Sequence, residues 1–128
     1  MTVNGDDVTV YGLKSEHTMK DLLYWTGENG STYLYQSELP YQDSTFGTDG
    51  FVGYHVDAAV SSHTGYGIGC YIIGGTLSNV KSGIRVPETA SITNLFILVI
   101  AGSLSQFEDL VCLTKGSESS DTCYPGGW

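Results

Sequence analysis

The sequence predicts an all-β chain whose strands pile up as the coils of a parallel solenoid, with an antiparallel β-sandwich as the alternative. Three observations carry this reading. Seventeen glycines and nine tyrosines stand against only five lysines and arginines in 128 residues, and glycine disfavours helices while aromatic and β-branched residues favour strands. The strand-like stretches are spaced unevenly, by roughly 12 to 24 residues, which is wide for short hairpins and suits stacked coils. No linker or charge run divides the chain, whose length fits one domain.

Asn4-Gly-Asp-Asp is a turn, and Val8-Thr-Val-Tyr-Gly-Leu alternates apolar and polar residues as a half-buried strand does. Thr18 to Trp25 reads as a helical turn, with Met19, Leu22 and Leu23 on one side. Thr32-Tyr-Leu-Tyr-Gln is the next strand, ended by Pro40, and residues 41–50 form a polar loop. Strands follow around Gly53-Tyr-His-Val, over Gly67 to Ile73, and over Val80 to Val86, the last stopped by Pro87. Ile92 to Ala101 is apolar and β-branched, the pattern of a strand buried on both faces. Phe107 to Leu113 is the final strand, and the composition from Thr114 onward is that of a tail. The expected division is a β-helix segment over 1–113 and a tail over 114–128.

The net charge of −9 repels phosphate backbones and anionic lipid surfaces, which argues against nucleic-acid and membrane partners. A neutral glycan is compatible with it. The most apolar run is about half of what a membrane-spanning helix needs. Thr2 to Asp7 is polar and acidic, unlike a secretory leader. The three cysteines, Cys70, Cys112 and Cys123, match no zinc signature, and no metal or cofactor is expected. A bridge between Cys112 and Cys123 would close a short Gly/Ser/Asp-rich loop and contribute roughly 3 kcal/mol, leaving Cys70 buried and free. Three reduced thiols is the competing state.

Three stretches carry a family resemblance together. They are Val3-Asn-Gly-Asp-Asp-Val-Thr-Val-Tyr-Gly-Leu-Lys-Ser-Glu-His, Trp25-Thr-Gly-Glu-Asn-Gly-Ser-Thr-Tyr-Leu-Tyr-Gln-Ser-Glu-Leu-Pro-Tyr, and Gly53-Tyr-His-Val through Ser62-His63 to Gly65-Tyr-Gly-Ile-Gly-Cys-Tyr. In this order they resemble the C-terminal part of large secreted bacterial and fungal proteins of the coagulation-factor-5/8-type-domain description. Those proteins look like double parallel β-helices related to the pectate-lyase and exo-β-1,3-glucanase superfamily. The resemblance covers residues 3–113, although the stretch from Leu77 to Leu113 matches only in apolar rhythm, and an N-terminal β-helix is missing. It implies a right-handed parallel β-helix segment, a secreted extracellular setting and a polysaccharide partner. No catalytic residue is carried over from it.

Candidate chemistry comes from the residues themselves. Glycoside hydrolysis uses two carboxylates, one protonated and one ionised. Glu16 and Glu38 each follow a predicted strand, and stacked coils would bring them to one edge. Trp25, Tyr33, Tyr35 and Tyr41 supply aromatic faces for sugar rings. His63 is a candidate acid or base near neutral pH. His17 directly follows Glu16, and strand neighbours face opposite ways, so the two would share a face only where the strand ends. The structural alternative is that the carboxylates are solvated turn residues and the histidines hydrogen-bonded structural ones. Gly65-Tyr-Gly-Ile-Gly reads as close packing within a strand, not as a phosphate loop. Asn29-Gly-Ser31 fits the N-glycosylation acceptor pattern.

Two functions compete. One is a secreted carbohydrate-binding or glycosidase-like module. The other is a non-catalytic structural protein that self-assembles into oligomers or filaments, because open solenoid ends expose unpaired backbone groups. Those ends call for either self-association or the missing N-terminal β-helix.

Overall fold

The computed structural model describes residues 1–41, 45–73, 80–101, 111–114 and 122–124. Eleven strands lie among them. In chain order they are β1 (Thr2–Val3), β2 (Thr9–Tyr11), β3 (Lys14–Glu16), β4 (Leu23–Trp25), β5 (Gly30–Glu38), β6 (Tyr54–Val56), β7 (His63–Ile73), β8 (Ile84–Pro87), β9 (Ser91–Ala101), β10 (Val111–Thr114) and β11 (Thr122–Tyr124).

They form two sheets. One has the order β1-β4-β6-β8-β10-β11, and the other the order β2-β5-β7-β9 with β3 also on β5. Every pairing is parallel except β10 with β11. The chain alternates between the sheets, so each coil hydrogen-bonds to the one before it. This is a parallel β-helix, and parallel ladders of this kind exclude the antiparallel sandwich.

The second sheet bends along a line. Gly12, Leu34, Gly67 and Asn94 all take left-handed backbone conformations, and each follows one member of the row Tyr11–Tyr33–Tyr66–Thr93. A left-handed residue turns the chain and shifts the inward–outward alternation by one. In β5 the buried positions are Gly30 and Thr32, then Tyr35 and Ser37; in β7 they are His63 and Gly65, then Ile68, Cys70 and Ile72, with Gly69 buried as well. A strict period of two is therefore broken at the same place in successive coils.

The core lies between the sheets. Leu23, Trp25, Tyr54, Val56, Ile84 and Val86 from the first sheet meet Tyr35, Ile68, Cys70 and Ile72 from the second. Trp25 is fully buried, and a Cβ at Gly30 would lie 2.6 Å from its ring, so only glycine fits there. At the corner joining the sheets, each turn holds the next: the Glu28 amide donates to Asp6 Oδ1 at 2.8 Å, and the Ser61 amide and hydroxyl donate to the Glu28 carboxylate.

Several expectations change. Thr18 to Trp25 contains no helix; Leu23–Trp25 is a strand, because Leu23 and Trp25 enter the core between two parallel neighbours. Pro87 ends inside β8, not before it. β9 is not buried on both faces: Phe96, Leu98 and Ile100 are exposed. Of the strand expected over Phe107 to Leu113, residues 107–110 lie outside the described part, and β10 begins at Val111. Within the stretch read as a tail, Thr122–Tyr124 pairs with β10.

Candidate functional site

Parallel stacking puts residues one coil apart into direct register. On the outer side of the bent sheet, beyond the line of left-handed residues, the register aligns Glu16 with Glu38, Glu38 with Tyr71, and Tyr71 with Leu98. Neighbouring strands are ~4.8 Å apart, so the Glu16 and Glu38 backbones are held at about that spacing. The two carboxylates expected on one edge are thus brought together.

β3 ends at Glu16, and His17 has φ 54°. That turn frees His17 from the opposite-face rule, and its Nε2 lies 3.1 Å from Glu38 Oε1. The Tyr41 hydroxyl donates to the same oxygen, and its ring meets His17 edge-on with centroids 4.2 Å apart. Glu38 raises the Tyr41 pKa chiefly through this hydrogen bond, with Glu16 adding repulsion. Glu38 is thus oriented through one oxygen by two partners, while its Oε2 is engaged by neither. Its side chain is 13% exposed, against 40% for His17, and Glu16 is open to solvent. Beside this row, Tyr71 meets Phe96 edge-on with centroids 5.6 Å apart.

The remaining candidates lie elsewhere. Trp25 and Tyr35 are core residues, so neither offers a ring face to a sugar. Their burial follows from the side of the strand they occupy, which alternation alone could not tell. Tyr33 stacks on Tyr11 with centroids 5.2 Å apart and planes 14° apart. The stack covers one face of each ring and bridges two coils, while Tyr11 stays exposed. His63 is 2% exposed, with Nε2 2.6 Å from the Tyr54 hydroxyl and Nδ1 without a hydrogen-bond partner. Burial pushes its pKa down to about 4, and it sits in the core, apart from the carboxylate row. Asn29 is exposed and donates from Nδ2 to Asp7 Oδ1 at 2.6 Å. Cys70 is buried as a free thiol.

Reading strands singly missed Tyr71 and left His17 conditional on where its strand ends. The signal for His17 was present, since a strand ending at Glu16 was the stated condition for its use. Tyr71 becomes a neighbour of Glu38 only through the register. The sequence also gave no sign of a polar network on the outer face of the first sheet. There Asp21 accepts from the Val52 amide and lies 2.7 Å from His55 Nδ1, and Tyr24 donates to Asp57. The bond to Asp57 pushes the Tyr24 pKa up to about 12. This network ties the loop before β4 to β6.

Comparison with known proteins agrees with the fold. Residues 1–38 match the model of the LAM55 pectate lyase-like domain. The chain is 32% identical over 132 aligned positions to an exo-β-1,3-glucanase of Streptomyces sp. (strain SirexAA-E / ActE), an alignment covering 96% of this chain and 22% of that protein. Among solved structures it resembles sacteLam55A from Streptomyces sp. SirexAA-E, with TM-score 0.68 and 26% identity over 99% of this chain and 25% of the other. A glutamate-to-alanine variant of sacteLam55A in complex with glucose superposes with TM-score 0.61 at 24% identity, over 94% of this chain and 24% of the other. The chain therefore spans about a quarter of the length of these proteins, and its fold is that of a pectate-lyase-like β-helix.

Proposed function

We propose that this pectate-lyase-like β-helix segment contributes the carboxylate pair Glu16 and Glu38 to hydrolysis of a glycosidic bond in a β-1,3-linked glucan. The observation that carries the reading is the direct register of the two glutamates on adjacent parallel strands. Similarity to an exo-β-1,3-glucanase supplies the substrate class. In such chemistry one carboxyl group protonates the departing oxygen while the other acts at the anomeric centre or on water. Strand spacing holds the backbones of the pair at a distance from which side-chain rotamers reach either arrangement. His17 and Tyr41 restrict Glu38 to one orientation, which lowers the cost of reaching the reactive geometry. A polymeric substrate suits a secreted, extracellular protein.

The test is release of reducing sugar from a soluble β-1,3-glucan by the chain, by Glu16→Gln and by Glu38→Gln. The expected result is release by the unaltered chain and a loss of about 10²-fold or more in each variant, with unchanged circular dichroism. Variants as active as the parent would overturn the assignment of the pair. No release by the unaltered chain would overturn hydrolysis by this segment. Titration with a β-1,3-linked gluco-oligosaccharide then reads whether it binds glucan.

A further inference from the structure

We propose that Cys112 and Cys123 form a disulfide that staples the return strand β11 onto β10. The observation is one of backbone register: β11 pairs antiparallel with β10, and Cys112 stands directly opposite Cys123. Directly opposed residues of an antiparallel pair have Cα atoms ~4.5 or ~5.5 Å apart, depending on which kind of pair they form. Both values fall inside the ~4.4–6.8 Å range that a disulfide spans. A slip of one residue in either strand would put each cysteine against a different partner.

The position in the fold gives the bond a purpose. β10 is the last parallel strand of its sheet, added to β8, and β11 reverses the direction. An antiparallel return strand occupies the edge that another parallel strand would use. Short hairpins are weak on their own, and a covalent link between opposed positions holds this one in register. Cys70 is the third cysteine, and it is buried in the core as a free thiol. Its partners across the strand ladder are Ser37 and Ile97, so it does not compete for the bond.

Formation balances as two thiols losing two protons and two electrons to a low-molecular-weight disulfide such as oxidised glutathione, which leaves as two thiols. Lys115 lies between the two cysteines, so trypsin cuts the loop that the bond closes. The full chain, equilibrated with a reduced and oxidised glutathione mixture, is acid-quenched, alkylated under denaturing conditions so that the buried Cys70 also reacts, and digested without reductant. The expected product is peptide 86–115 linked to peptide 116–128, separating on reduction, with one alkylated thiol at Cys70. Reduction of the intact protein should lower the midpoint of thermal unfolding by roughly 5–10 °C. Alkylation of all three cysteines, or a link that includes Cys70, overturns the proposal. Because the readout is a peptide mass, it is independent of glucan hydrolysis.

Discussion

His63 shows how burial changes what a side chain does. In a sequence it is an acid–base candidate; in the fold it packs against Trp25 with centroids 4.9 Å apart and is held neutral. Its folded pKa of about 4 lies below the ordinary ~6.5, so the unfolded chain takes up the proton first as pH falls. The stabilisation from keeping it neutral is complete above about pH 6.5, erodes as pH falls, and stops changing below about 4. The loss amounts to ~3 kcal/mol at 1.36 kcal/mol per pH unit. Urea denaturation across this range should show the slope, and His63→Asn should remove it; an unchanged slope in the variant would contradict the assignment. Asp57 acts in a lower window. The Tyr24 hydrogen bond and the Ala59 amide depress its pKa, so its contribution is lost only as pH falls below the ordinary carboxylate range.

At the scale of the element, the bend of the second sheet depends on residues with positive φ. Glycine or asparagine occupies three of the four positions, and leucine the fourth, Leu34 at φ 59°. A side chain in that conformation costs ~1–2 kcal/mol, and Leu34 is 66% exposed, so little burial offsets it. Leu34→Gly should raise stability by about 0.5–1 kcal/mol, after the ~0.5–1 kcal/mol that glycine loses in unfolded-chain entropy. The urea midpoint reads it, and a lower midpoint would mean that Leu34 packing outweighs the strain. Five residues after this row's tyrosines the chain reaches Glu16, Glu38 and Tyr71, so the same bend determines which face the carboxylates occupy.

For the molecule as a whole, the core is one stack running through the coils. Trp25 packs between β1 and β6 and against His63, contacting residues before and after it along the axis. Trp25→Ala should cost about 3–5 kcal/mol. Because the neighbouring coils share that core, the loss should appear as one transition at lower denaturant, not as melting of one coil. Two separated transitions in the variant would show that the coils fold independently. The carboxylate pair belongs to this scale too: Glu16 and Glu38 meet because two coils are in register, and nothing local to either residue brings them together.

The amino-acid order alone determined the strand-rich class and the turn at Asn4-Gly-Asp-Asp, since composition and local turn chemistry are properties of the chain itself; the parallel ladders decided between stacked coils and a sandwich, and the alignment of Glu16 with Glu38 came from the register between coils. Amino-acid order gave no reliable account of which face a side chain takes in the second sheet, because a left-handed residue at the bend resets the alternation. That is why Tyr35, which directly follows Leu34, reads as a surface aromatic; Trp25 and the rest of β4 owe their places to parallel pairing with β1 and β6, which leaves no local signal. Register between coils, and with it the places of His17, Tyr41 and Tyr71 around Glu38, was decided by parallel pairing over long separations. Such contacts carry no local signature, since each depends on where another coil comes to rest.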